Sequence, residues 1–120
     1  MDRRLGALES KFADIIWENE PLSSSRLVGL AGEKLGWKKS TVYTVLRRLC
    51  EKGLFQNENG TVTSLVSGET FRAAQCRQFL DDSFEGSLPA FLAAFMNEGR
   101  LSEKEAEEIE AMIRRFRQGG

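Results

Sequence analysis

The chain has 120 residues, a formal net charge of −1, 41% hydrophobic and 29% charged residues, and no histidine. That balance describes one ordinary soluble domain, or a small domain with an appendage. Without histidine, and with two isolated cysteines, it lacks the commonest general base and any tetrahedral nitrogen or thiolate ligand set. No Gly-rich phosphate loop or privileged carboxylate pair stands out, so no catalytic residue, metal site or cofactor is expected, and the chain reads as a non-enzyme.

The first predicted element carries Leu8, Phe12, Ile15 and Ile16 at helical spacing up to Trp17, and Asn19-Glu20-Pro21 stops it because proline cannot continue a helix. Ser23 is the expected N-cap of a second helix that turns Leu27, Leu30 and Ala31 inward and ends near Leu35-Gly36. A third helix runs from about Lys39 to Lys52 and ends at Gly53. Its apolar residues Val42, Val45, Leu46 and Leu49 form one stripe.

The opposite side of that third helix presents Ser40, Thr44 and Arg47, with Thr41, Tyr43 and Arg48 on the flanks. Any surface helix has a polar face opposite its core stripe. Charge favours a more specific reading. Between Gly36 and Gly53 stand Lys38, Lys39, Arg47, Arg48 and Lys52 against Glu51 alone, a local basic patch on a nearly neutral chain. Short hydroxyls beside cations suit a DNA major groove, where Ser and Thr reach base edges and Arg or Lys reach guanine or phosphate. The candidate DNA-binding set is Lys38, Lys39, Ser40, Thr41, Tyr43, Thr44, Arg47 and Arg48.

After Gly53 the period changes to two. Leu54–Glu58 and Thr61–Val66 are β-type runs joined by Asn59-Gly60, the strongest short hairpin signal. Three helices followed by a hairpin describe a winged helix-turn-helix domain, expected over residues 1–67, with helix two crossing the backbone and helix three entering the groove.

From residue 68 to 120 seven cations face ten acids, which points this half toward protein rather than DNA. Leu88, Phe91, Leu92, Phe95 and Met96 make an apolar helical face. Ala106, Ile109, Ile113 and Phe116 follow with 3, 4, 3 spacing, a short a/d seam, and Ser102 with Glu105 forms the capping box that starts this last helix. Helices this few are too small to build a private core. Residues 68–120 are therefore expected to be a helical dimerisation region, with Phe91, Leu92, Phe95, Ala106, Ile109, Ile113 and Phe116 at the contact between two copies; the alternative is a seam that folds back onto the winged domain of its own chain. Such a homodimer would present two recognition helices to an inverted repeat of double-stranded DNA.

The fold class expected is thus mainly α with a small β-hairpin. Cys50, at the edge of the third helix's stripe, and Cys76, in a helical pattern, are expected to be buried or half-buried free thiols. No apolar run approaches the roughly 20 residues of a membrane helix, and the opening Met1-Asp2-Arg3-Arg4-Leu5 lacks a signal-peptide core. The expectation is a cytoplasmic protein without membrane insertion.

The run Thr41-Val42-x-Thr44-x-Leu46-x-Arg48-Leu49-x-x-Lys52-Gly53-Leu54, preceded by Glu9, Ile15-Ile16-Trp17 and Trp37, resembles the penicillinase-repressor family of winged-helix transcriptional repressors. Phe95 in an apolar helix, followed by Asn97-Glu98 and an acidic last helix, extends the resemblance over nearly the whole chain. It implies a cytoplasmic homodimer that holds operator DNA with helix three and the wing, Thr41 and Thr44 touching base edges or phosphate and Lys39 and Arg48 touching phosphate. In the antibiotic-responsive members a membrane sensor protease detects a β-lactam, and the repressor is cut in its dimerisation region between Asn and Phe. Phe95 aligns with that Phe, and the residue before it is Ala94, so the candidate cleavage bond is Ala94-Phe95.

The chain departs from the family pattern in further places. Ser40 stands where the family has Lys at the start of helix three, with Lys38 and Lys39 adjacent. Thr61 replaces a wing Arg, and Leu65 or Val66 replaces a wing aromatic. No cysteine follows Cys76, which argues against the copper-sensing device of some relatives. Two other function classes fit the residues: a winged-helix protein–protein interaction module, suggested by a wing read as uncharged and by the nearly neutral overall charge, and a small-molecule-sensing regulator, suggested by Phe79, Phe84, Phe91 and Phe95.

Overall fold

The computed structural model describes residues 4–119. The chain divides into two units, Met1–Gln75 and Cys76–Gly120. The first contains α1 (Ala7–Asn19), β1 (Leu22–Ser23), α2 (Ser24–Leu35), α3 (Lys39–Glu51), β2 (Phe55–Glu58) and β3 (Thr61–Ser64). The division falls within α4 (Gly68–Phe84), and α5 (Leu88–Asn97) and α6 (Glu103–Arg117) lie in the second unit. The architecture is mainly helical, with a small antiparallel sheet in the position of a wing.

Local chemistry sets most of these limits. At α1 the Glu9 carboxylate reaches back to accept from the Gly6 N–H at 3.2 Å. The Ser23 hydroxyl accepts from the Arg26 N–H at 3.0 Å and caps α2. That helix stops at Gly36, whose φ of 69° is left-handed and suits a residue without Cβ. Between β2 and β3 both Asn59 (φ 53°) and Gly60 (φ 85°) have positive φ, as a two-residue hairpin of the primed type requires. Ser87 and Ser102 cap α5 and α6 in the same manner as Ser23, and Glu105 completes the box at Ser102.

The sheet has the order β1-β3-β2. β2 and β3 pair from Phe55 with Ser64 to Glu58 with Thr61, and β1 adds Leu22 opposite Val62 and Ser23 opposite Thr61. Regular pairing ends at Ser64, short of the Val66 expected from the sequence, but the Leu65 N–H still donates to the Leu54 carbonyl at 2.8 Å and holds the base of the wing together.

The core of the first unit is built from the faces that periodicity singles out. Phe12, Ile16, Leu27, Val42, Leu49, Leu54, Phe55 and Val62 are fully buried, each contributing roughly 1.5–3 kcal/mol by removal from water. Trp17 lies against Phe55 and Phe71, with ring centroids 5.1 and 5.4 Å away, and its indole N–H donates to the Val66 carbonyl at 2.9 Å. Leu8 does not join this core. It is 56% exposed, while Leu5 packs at the core's edge.

The second unit is different in kind. No described side chain from 76 to 119 is buried. Phe79, Phe84, Phe91 and Phe95 form a chain of ring contacts with centroids 5.0–5.9 Å apart, edge-on for three of the four pairs. They line an open groove of about 430 Å³. Cys76 is exposed, against the expectation of burial, because α4 carries no apolar stripe at its position that a neighbour covers. Cys50 is half-buried and packs on the core, as expected, and burial, followed by the charge of Glu51, pushes its thiol pKa up.

Candidate nucleic-acid interface

The third helix owes its orientation to one stripe. With Val42, Val45, Leu46 and Leu49 turned into the core, geometry forces Lys39, Ser40, Thr41, Thr44 and Arg47 outward, and all of them are exposed. Lys38 occupies the N-cap of α3 and provides no side-chain cap bond. The first-turn amides of α3 are therefore left to solvent or to an anion, beside two lysines.

Within the described residues Lys38, Lys39 and Arg47 make no ion pair with their own chain. Their charge is directed to solvent, where a phosphate backbone could take it up. Arg48 is placed differently. Its guanidinium lies 2.9 Å from the Glu9 carboxylate and joins α3 to the first turn of α1. Burial acts against the Glu9 charge. The Gly6 N–H, the Arg48 hydrogen bond and the positive charges of Lys52 and Arg48 outweigh it, and hold the carboxyl below its ordinary pKa. Lys52 in turn donates to the Arg4 carbonyl at 2.8 Å. These two cations at the C-terminal end of α3 serve the fold as well as the surface potential.

Two hydroxyls of the candidate set are also committed. Thr44 donates to the Ser40 carbonyl at 2.9 Å, which fixes its rotamer and leaves its methyl group and acceptor lone pairs to face a ligand. Tyr43 is half-buried, and its hydroxyl donates to Ser24 Oγ at 3.2 Å. Ser24 also donates its N–H to the Gly60 carbonyl at 2.8 Å. One serine thus ties α3, the start of α2 and the tip of the wing together. Residue spacing alone carries no sign of this role. Glu20 is a second such residue: its carboxylate accepts from the Ser64 N–H and hydroxyl, both at 2.8 Å, and fastens β3 to the end of α1.

The wing carries one charged residue between Phe55 and Val66, the acid Glu58. Thr61 and Thr63 are its outward polar groups near the turn, and Leu65 is 55% exposed while Val66 packs on the core. Between α3 and the wing, the cations therefore lie on α3 and its caps.

The residues expected at a contact between copies lie in the second unit. Phe91, Leu92, Ala106 and Ile109 are half-buried, and Phe95, Ile113 and Phe116 are exposed. The Ala94-Phe95 peptide lies inside α5, where the Ala94 carbonyl accepts from the Glu98 N–H at 3.2 Å and the Phe95 carbonyl from the Arg100 N–H at 3.0 Å. Among the described residues no helix is long and apolar enough to cross a membrane, and no cluster of His, Cys, Asp and Glu could hold a metal ion.

A family model described as penicillinase repressor matches residues 5–115 of the chain, both units included. A comparison with curated proteins finds no match.

Proposed function

The chain belongs to the penicillinase repressor family, a family of transcriptional repressors, and we propose from that membership that it blocks a promoter by binding an inverted-repeat DNA operator as a homodimer. The observation that carries the reading is the exposed set on α3 and its N-cap: Lys38, Lys39 and Arg47, without an ion-pair partner among the described residues, beside Ser40, Thr41 and Thr44, above a fully used core stripe. Cations without internal partners release counterions on meeting phosphate, and the hydroxyls between them provide direction toward base edges.

The second unit supports the dimeric part of the proposal. Its helices α5 and α6 bury nothing of their own yet carry exposed Leu88, Met96, Met112, Ile113 and Phe116. Covering that surface with a second copy sets two α3 helices on one duplex, and separating the copies forfeits one half-site and most of the specific binding energy. Derepression is then any event that parts them. If proteolysis of the Ala94-Phe95 bond by a sensor protease is that event, α5 must first open, because the bond sits inside its hydrogen-bonded ladder. A cytoplasmic location follows from the same reading.

Selection of bound sequences from a random duplex library, with the salt dependence of the winning site, tests the proposal. An inverted repeat with half-sites about one helical turn, roughly ten base pairs, apart is the expected result. No enrichment at low or moderate salt would transfer the reading to a protein-binding winged helix, which the wing without cations favours.

A further inference from the structure

We infer that α6 pairs with α6 of a second copy in the antiparallel sense, with its centre between Ile109 and Ile113; this rests on the homodimer proposed above. The helix has no buried residue; along its seam Ile113 and Phe116 are 47% and 81% exposed, and Ala106 and Ile109 are half-buried. What covers this face is indicated by the order of its own residues.

Along the seam stand Ala106, Ile109, Ile113 and Phe116. Read from either end, the spacing is the same, and a two-fold axis between Ile109 and Ile113 brings Ala106 opposite the partner's Phe116 and Ile109 opposite the partner's Ile113. This is the a-on-d′ layering of an antiparallel pair. A small side chain then faces a large one at each end, and two isoleucines fill each central layer. Parallel pairing would stack Phe116 on the partner's Phe116 and Ala106 on the partner's Ala106. One end would be overfilled and the other would leave a gap, both of which close packing penalises.

Charge selects the same direction. Residues 103 to 110 hold five glutamates and one lysine, whereas residues 114 to 117 hold three arginines and no acid. Antiparallel pairing lays the acidic half along the partner's basic half and opposes the two helix dipoles, and parallel pairing lays like on like. The nearest flanking pair is Glu103 with the partner's Arg117, formed twice by symmetry. Glu110 meets its own copy near the centre, the one like-charge approach on this flank. Neither Glu103 nor Arg117 has an ion-pair partner in its own chain among the described residues. A surface of this type is isologous: it is complementary to itself only after a half-turn.

Two measurements on the full chain test the pairing. In a Cys50→Ala, Cys76→Ser background, Ala106→Cys and Phe116→Cys chains are oxidised separately and after mixing. In the antiparallel pair two copies of residue 106 lie about 15 Å apart along the axis, too far for a disulfide, so each variant alone stays uncrosslinked and the mixture forms a covalent dimer. Because truncating Phe116 could itself loosen the dimer, the second measurement leaves the seam intact. Glu103→Arg alone and Arg117→Glu alone should each weaken dimerisation by roughly tenfold in sedimentation equilibrium, and the two together should restore it. Parallel pairing predicts no such rescue.

The outcomes distinguish the homodimer from the direction of its helix pairing. A chain that sediments as a monomer overturns the homodimer and this inference with it. A dimer in which Ala106→Cys crosslinks to itself keeps the homodimer and overturns the antiparallel pairing. A dimer with no crosslink in any sample and no charge rescue removes α6 from the interface.

Discussion

Arg48 and Glu9 meet at 2.9 Å, across a sequence separation of 39 residues, so the C-terminal end of α3 is fastened to the first turn of α1. The consequence is a division of labour along α3. Among the described residues Lys38 and Lys39 at its start, and Arg47 further along, have no ion-pair partner, whereas Arg48 and Lys52 at its end are already engaged by the protein.

Salt dependence should reveal this division. Lys39→Ala is expected to reduce the slope of log affinity against log salt by about 0.9, the yield of one phosphate contact. Arg48→Ala should change it less, since Glu9 already neutralises part of that charge. Fluorescence anisotropy titrations of an operator duplex at several salt concentrations provide the slopes. Equal loss for both variants would show that Arg48 leaves Glu9 for phosphate when DNA binds.

The same ion pair has a pH signature. Glu9 titrates below its ordinary value in the folded chain, so the unfolded state binds more protons in that interval and stability falls as pH falls. The contribution is complete above the ordinary glutamate pKa and disappears as pH drops through the depressed folded value. Denaturant midpoints measured from neutral pH into the acid range should therefore decline less for Glu9→Gln than for the unsubstituted chain. Parallel curves would remove Glu9 from the acid sensitivity.

Thr44 should report on base reading. Its hydroxyl proton is given to Ser40, so what it can present to DNA is an acceptor and a methyl group. Thr44→Ala is expected to relax preference at one base pair of each half-site by about 1 kcal/mol or more. Thr44→Val keeps the methyl and loses the acceptor, Thr44→Ser the reverse, and comparison of their selected sequences tells which group reads the base. Unchanged profiles for all three would end the assignment.

Burying a charge in the α6 seam should separate the copies. Ile113→Glu is expected to give a monomer in sedimentation velocity, because an unpaired carboxylate in an apolar contact costs several kcal/mol. Its operator affinity should fall toward that of a single half-site, while the circular dichroism of the winged unit stays helical. A dimer that survives would place the contact elsewhere on the second unit.

Gly68 tests the packing at the start of α4. A Cβ there would lie 3.1 Å from Trp17 Cδ2 and 3.3 Å from Cε3. Trp17 cannot give way easily, being held by Phe55, Phe71 and its bond to Val66. Gly68→Ala should therefore destabilise the first unit by about 1–2 kcal/mol, more than the helix propensity of alanine returns. Urea unfolding followed by tryptophan fluorescence would show it, and an unchanged or higher midpoint would mean that the indole moves.

What the sequence determined by itself is everything encoded within a few neighbouring residues. The stripe of Val42, Val45, Leu46 and Leu49, the Ser23 and Ser102 caps, the stop at Gly36 and the turn at Asn59-Gly60 all appear where their local chemistry places them. The outward set on α3 followed, because fixing one face of a helix fixes the other. Tertiary structure decided the pairings that have no short-range signature. A two-residue β1 joins β3 through Leu22 and Val62, a strand too short to show a period. Ser24 links Tyr43 to the wing tip, and Glu9 draws Arg48 away from an otherwise uniform basic face. Leu8 and Cys76, apolar in a helical pattern, remain at the surface because burial depends on whether another element arrives to cover a position, and periodicity identifies only the face that could be covered.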